Sequence, residues 1–200
     1  MPRYAKGSAL LGPNGPVAGS FVFRHRLLLC SILMAAACAL TTLVFTCATP
    51  FAALAVFAAA ALPLPSALVT VSGTWLLNQA IGYGLLAYPI SGESIAWGVA
   101  LGAAALVATA AAASVLNRPR LRGSVLGYGY GLVAAFVAYE VCLIAVGVAL
   151  DDLEAFTPAI VTRLALLNLV SFLALVAVWH LGARLVAGPS GQRRLSRAPS

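Results

Sequence analysis

The sequence Arg118-Pro119-Arg120-Leu121-Arg122 separates two long apolar runs, residues 95–116 and 124–150. Three arginines on a short gap with a proline form a cationic turn between segments that have almost no charge of their own. Cationic loops between apolar segments stay on the cytoplasmic side during membrane insertion. This stretch therefore predicts that the chain crosses a membrane on each side of it.

The remaining charges alternate along the chain. Basic residues precede the first apolar run and close the chain, and of the 12 Lys and Arg residues only Arg163 lies outside these two segments and the central loop. Acidic residues occupy the other gaps, as Glu93 and as the cluster of Asp151, Asp152 and Glu154. The positive-inside rule then places both chain ends and the central loop in the cytoplasm, and the acidic gaps outside.

The composition excludes an ordinary soluble domain. The chain is 62% hydrophobic and 8% charged, whereas soluble domains have about 25% charged residues. The net charge of +7 is spread over the three predicted cytoplasmic segments without interleaved aromatics, so it indicates orientation and not nucleic-acid binding. With most of the 200 residues in apolar runs, there is no room for a separate soluble catalytic domain. We therefore expect no enzyme.

The predicted fold is an all-α polytopic membrane bundle with six transmembrane helices and cytoplasmic N and C termini. The predicted spans are residues 27–48, 51–62, 66–86, 95–116, 124–150 and 158–187. They form a six-helix membrane domain over residues 27–187. A flexible cytoplasmic tail is predicted over residues 1–26, and a disordered basic tail over residues 188–200.

The second predicted span is unusually short for a membrane crossing. Pro63-Leu64-Pro65 should end any helix that precedes it. Residues 51–62 would rise only about 18 Å as a helix, against roughly 30 Å of hydrocarbon. Either they cross as a short span, or they form a half-helix buried against protein. The full-length run that follows favours the short crossing.

Polar side chains within the apolar spans mark the candidate site, because burying them in hydrocarbon is costly. Asn78, Glu140 and Asn168 each lie about 15 Å below the outer end of their span. Such a layer would form the floor of a cavity that opens to the outer side and suits a small planar, polar molecule. Alternatively, its side chains would hydrogen-bond the helices to one another. The predicted substrate-binding residues are Trp75, Asn78, Gln79, Tyr83, Trp97, Tyr139, Glu140 and Asn168.

Metal and cofactor sites are not expected. The four cysteines show neither CxxC spacing nor Cys/His clustering, so they are interpreted as packing residues. His25 and His180 lie near the predicted cytoplasmic surface. A histidine pair in a helix bundle is able to ligate haem, which leaves a haem-bearing electron carrier as a minor alternative to two boundary residues.

The first span contains Ala35-Ala36-Ala37-Cys38-Ala39, in which Ala35 and Ala39 are four positions apart. With six spans, both ends inside and an outward polar site, the chain resembles the substrate-binding S-components of energy-coupling factor transporters. That family docks on a transmembrane coupling subunit through an Ala-x-x-x-Ala patch. The resemblance implies capture of a vitamin-like solute in a bacterial-type inner membrane, with the coupling subunit and cytoplasmic ATPases as partners.

A structural role is the second hypothesis. In a structural or assembly subunit of a larger membrane complex, the same polar residues would only link helices, and the Gly and Ala faces would contact neighbouring subunits. Such a subunit would have no ligand of its own. Tight binding of a small molecule to the purified protein distinguishes the two hypotheses.

Overall fold

The computed structural model describes residues 16–45, 49–152 and 154–187. The predicted tails therefore lie outside the described residues over 1–15 and 188–200. The described chain forms six α-helices and one short 3-10 helix. These are α1 (Pro16–Phe45), α2 (Phe51–Ala61), α3 (Leu64–Gly84), α4 (Gly92–Leu116), α5 (Val125–Leu150), the 3-10 helix (Glu154–Phe156) and α6 (Pro158–Ala187).

Four of the described helices are long and apolar enough to cross a membrane. They comprise Phe23–Phe45 within α1, all of α4, all of α5, and Pro158–Gly182 within α6. The helix α3 has 21 residues, which is long enough to span, but its polar side chains lower its hydropathy. The all-helical prediction is confirmed and fits a multi-pass membrane protein, while six crossings stay a prediction.

The first helix begins earlier than the sequence predicted. It starts at Pro16, inside the segment expected to be a flexible tail over residues 1–26. Proline is favourable in the first turn of a helix, because its missing N–H needs no partner there. The helix then continues through Arg24-His25-Arg26 into the predicted first span. The part of the tail from Pro16 onward is therefore helical.

The proline-rich break occurs where the sequence predicted it. The helix α2 ends at Ala61, and Leu62 is extended with φ −130° and ψ 154°. Pro63 precedes α3, with φ −59° and ψ 148°, and Pro65 lies in the first turn of α3. Because proline fixes φ and lacks an N–H, it is tolerated at a helix start but not in a helix interior.

The helix α2 is the centre of the bundle. It has 11 residues, and the side chains from Phe51 to Ala58 are all buried. It packs against each of the other five α-helices of the described chain. A helix that is apolar on every face is stable only when it is surrounded in this way.

The helix α2 also begins inside the bundle. The Ala53 N–H donates to Oδ1 of Asn168 at 2.9 Å, and Asn168 lies about 15 Å along α6 from Pro158. A short crossing would begin at the outer ends of the long helices. The start of α2 thus lies inside the bundle, where polar partners in neighbouring helices permit it, and the choice between a short crossing and a half-helix enclosed by protein stays a prediction.

Small residues let α4 approach α3 closely. The indole N–H of Trp75 donates to the Gly98 carbonyl oxygen at 2.8 Å. A Cβ added at Gly102 would lie 2.6 Å from Cε2 of the same indole ring. Gly98 and Gly102 are both buried, so this pair of glycines four positions apart is a packing feature.

We expect Gly102→Ala to lower the free energy of unfolding by about 1–3 kcal/mol, the usual range for overpacking. The rigid indole of Trp75 would have to move, which would strain its hydrogen bond to Gly98. Thermal unfolding in mild detergent measures the effect. Gly73→Ala is the matched control, because nothing lies within 4 Å of a Cβ added there. Equal destabilisation by the two substitutions would contradict the packing argument.

Candidate functional site

A cavity of about 560 Å³ lies among α2, α3, α4, α5 and α6. Thr49 and Glu140 line it near the beginning of α2. Tyr88 and Asp152, from the α3–α4 and α5–α6 connections, line it toward one end of the bundle. This volume lies within the range of about 300–1,000 Å³ that small-molecule sites occupy.

Most of the predicted site residues meet at this cavity. Trp75 and Asn168 do not line it. The six that do are Asn78, Gln79, Tyr83, Trp97, Tyr139 and Glu140. Counting residues along α3 and α5 correctly placed their polar residues at one depth, because both helices rise by a constant distance per residue. A substrate-binding role for these residues stays a prediction.

Asn168 is used by the fold itself. It is 3% exposed, its Oδ1 accepts the Ala53 N–H, and its Nδ2 donates to the Leu164 carbonyl oxygen at 2.9 Å. The first backbone N–H groups of a helix have no partner within the helix. Asn168 therefore supplies from α6 a partner for the buried beginning of α2.

Asn78 joins three segments at the floor of the cavity. Its Nδ2 donates to Oγ1 of Thr42 at 2.9 Å and to Oγ1 of Thr49 at 2.8 Å. Its Oδ1 accepts from Nε2 of Gln79 at 3.2 Å. The side chain thus links α1 and the segment before α2 to α3, as the interhelical alternative predicted, while it also lines the cavity.

Glu140 is different from the two asparagines. It is 6% exposed, and neither Oε1 nor Oε2 has a hydrogen-bond partner in the described part of the chain. Most buried polar side-chain atoms in proteins do have a partner, and an unpaired buried acid is costly. Glu140 is therefore a polar group of the cavity wall whose partner the described residues do not supply.

Aromatic rings form much of the wall around this acid. Phe51 and Tyr139 have ring centroids 6.3 Å apart, as do Trp97 and Phe156. Tyr83 donates its hydroxyl to the Ser94 carbonyl oxygen at 2.9 Å. Such rings bury large apolar area and present π faces to a bound molecule.

Several lining residues escaped the sequence-based prediction. Thr49 and Phe51 were missed because the start of α2 was expected at the membrane surface and not beside Asn78. Phe156 and Asp152 come from the α5–α6 connection, whose path the sequence does not specify. The signal that was available is Thr49-Pro50, a polar residue and a helix-starting proline placed directly before an entirely apolar helix.

Three further features were considered from the sequence: a metal site, a histidine pair and a docking patch. Within the described residues no group of three or more His, Cys, Asp or Glu side chains is positioned to hold a metal ion. His25 and His180 are both exposed. Ala35 and Ala39 are half-buried on α1, and their role in docking a partner stays a prediction.

No known protein family, curated protein or solved structure matches this chain. The resemblance to transporter S-components thus stays a prediction from the sequence features.

Proposed function

We propose that this chain is an integral membrane substrate-binding subunit of a transport system, and that it captures a small polar or vitamin-like solute in the cavity described above. One observation carries the proposal. Glu140, buried in the membrane-spanning bundle, faces a cavity of ligand size without a hydrogen-bond partner in the described chain. Ionisable groups within membrane bundles are costly and usually serve function.

The structural-subunit alternative accounts for only part of the polar layer. It explains the amides of Asn78 and Asn168, which bond other parts of the chain. It gives no reason to keep Glu140, because an acid that links no helices costs stability and gives no adhesion. Solute binding explains the acid, the aromatic wall and the volume together.

Orientation follows from the charges. If the basic ends and the Arg118–Arg122 loop are cytoplasmic, the cavity opens to the outer face of a bacterial-type inner membrane. The solute would then enter past Asp152 from outside. A transmembrane coupling subunit, driven by cytoplasmic ATPases, would dock on α1 at Ala35 and Ala39 and release the solute inward.

Sidedness of the loops tests this orientation. In a cysteine-free background, we expect a cysteine at Pro119 to react with impermeant maleimide only from the cytoplasmic side. A cysteine at Glu154, which is exposed, should react only from outside. Whole cells and inverted vesicles provide the two accesses. Reaction of both positions from one side would contradict the topology.

Copurification tests the binding function. We expect wild-type protein purified in mild detergent to retain about one equivalent of a small molecule, detected by native mass spectrometry, since such cavities bury most of a ligand's surface. Gly98→Leu should abolish retention. Gly98 lines the cavity, and its new Cβ would lie 2.6 Å from Oε1 of Gln79, the end of a flexible side chain, and 3.4 Å from the hydroxyl of Tyr83. Because Gly98 also packs against α3, an unchanged helix signal and unfolding midpoint must show that the variant is folded.

Gly73→Leu is the control, because Gly73 is exposed and has open space around it. It should retain the solute at the wild-type level. If wild-type protein retains nothing, and nothing from a growth-medium extract binds it, the structural-subunit alternative is favoured. The same solute retained equally by all three proteins would mean that it binds elsewhere.

A further inference from the structure

The partner that Glu140 lacks indicates the chemistry of the solute. Both carboxyl oxygens of Glu140 have no hydrogen-bond partner within the described chain, although the residue is more than nine-tenths buried. A carboxyl group accepts hydrogen bonds through two oxygens, and bonds from charged donors are the strongest it makes. A molecule that enters the cavity and pairs with Glu140 would therefore gain most by carrying a positively charged donor.

The other described residues that line the cavity also favour a positively charged solute. It includes a second acid, Asp152, at the connection end, and no Lys, Arg or His. The nearby amide donors are already engaged, since Asn78 donates to two threonine hydroxyls and Gln79 donates to Asn78. An anionic solute would find two acids and no cation there. Electrostatics thus favours a cation.

The aromatic wall points to an organic cation. Cations are attracted to the faces of Trp, Tyr and Phe rings within about 6 Å of the ring centre. The cavity volume of about 560 Å³ far exceeds what a dehydrated metal ion fills, and hard metal ions take several oxygen ligands. The aromatic lining residues are Phe51, Tyr83, Tyr88, Trp97, Tyr139 and Phe156.

We infer, on the basis of the proposed function, that the solute is an organic cation: an ammonium, amidinium or cationic heterocycle on a flat framework, with its charge at Glu140 and its rings among the aromatic side chains. Trp97 and Phe156, whose ring centroids lie 6.3 Å apart, would together present aromatic surface to the ring system. Asp152 would attract the cation to the mouth of the cavity.

Three isosteric probes test the inference. Benzamidinium, benzamide and benzoate share the phenyl ring and differ in charge. The corresponding 2-naphthyl compounds form a second series with a larger ring system. Binding to full-length protein in detergent is measured by thermal stabilisation over a concentration series. We expect the amidinium members to bind wild-type protein at least about tenfold more tightly than the amides or carboxylates, the factor that one charge-assisted hydrogen bond supplies.

Variants assign the preference to one carboxyl group. Glu140→Gln should remove the preference for the cation, and Glu140→Asp, which keeps a carboxyl group, should retain it at lower affinity. Glu93→Gln is the matched control, because Glu93 is an exposed acid that does not line the cavity. It should bind like wild type. A cation preference that persists in Glu140→Gln would overturn the inference.

The remaining outcomes separate this inference from the proposed function. If the amide or the carboxylate binds as well as the amidinium, and Gly98→Leu blocks that binding, solute capture stands and the cationic class is wrong. If no probe binds wild-type protein and no solute copurifies with it, both proposals fail. A copurifying solute that is neutral or anionic at neutral pH would overturn the cationic class alone.

Discussion

Replacing Asn168 with leucine is expected to lower the free energy of unfolding by about 2–3 kcal/mol, because it leaves a buried backbone N–H without its partner. Leucine has the same branching as asparagine and is larger, so none of the loss comes from a cavity. It removes the acceptor of the Ala53 N–H at the start of the buried helix α2, where no water is available to replace it. Unfolding in detergent, followed by helix signal against denaturant or temperature, measures the loss.

The control for this prediction lies on the same helix. Thr162 is exposed, and its hydroxyl donates to the Pro158 carbonyl oxygen within α6. We expect Thr162→Val to change stability by no more than about 0.5 kcal/mol, as surface substitutions usually do. If Asn168→Leu is equally mild, Asn168 does not support the start of α2.

Replacing Glu140 with leucine is expected to act in opposite directions on stability and on binding. The solute-free protein should become more stable by about 1–3 kcal/mol, because a buried polar group without a partner is removed. Solute affinity should fall by about 10- to 100-fold, which corresponds to the loss of a hydrogen bond to a charged group. Residues kept for function at a cost in stability show this combination.

The structural-subunit alternative predicts the opposite sign. If Glu140 holds the protein together through a partner outside the described residues, Glu140→Leu should destabilise the protein and leave any solute binding unchanged. Val141→Leu is the control, because the neighbouring Val141 is exposed on the outside of the bundle. It should change neither quantity. Unfolding midpoints of solute-free protein and binding isotherms for the copurified solute provide the two measurements.

The local features of the fold were predictable from the sequence. The break at Pro63 and Pro65 follows from the missing N–H groups and fixed φ of two residues. The starts of α4 and α5 follow serines that accept backbone N–H groups, Ser91 from Ser94 and Ser124 from Gly127. Each of these depends on neighbours along the chain, so no knowledge of distant contacts was needed.

The candidate site was predictable only in outline. The common depth of Asn78 and Glu140 came from counting residues, since an α-helix has a constant rise. Their use did not follow from that count. Whether an amide faces a cavity or another helix depends on rotation about the helix axis and on what lies opposite. That is why Asn78 and Asn168 were grouped with Glu140, although their amides bond other parts of the chain.

The sequence alone determined that the chain is a bundle of apolar helices, and its charge distribution predicts how the loops face the two sides of a membrane. These properties add up along the chain, because each apolar or charged residue contributes to membrane partitioning nearly independently. The tertiary structure decided that α2 begins inside the bundle at Asn168 and that Glu140 lies beside a cavity without a hydrogen-bond partner in the described chain. Those outcomes depend on which polar groups of distant segments meet, and a buried group is satisfied only by the partners that packing brings within hydrogen-bond distance.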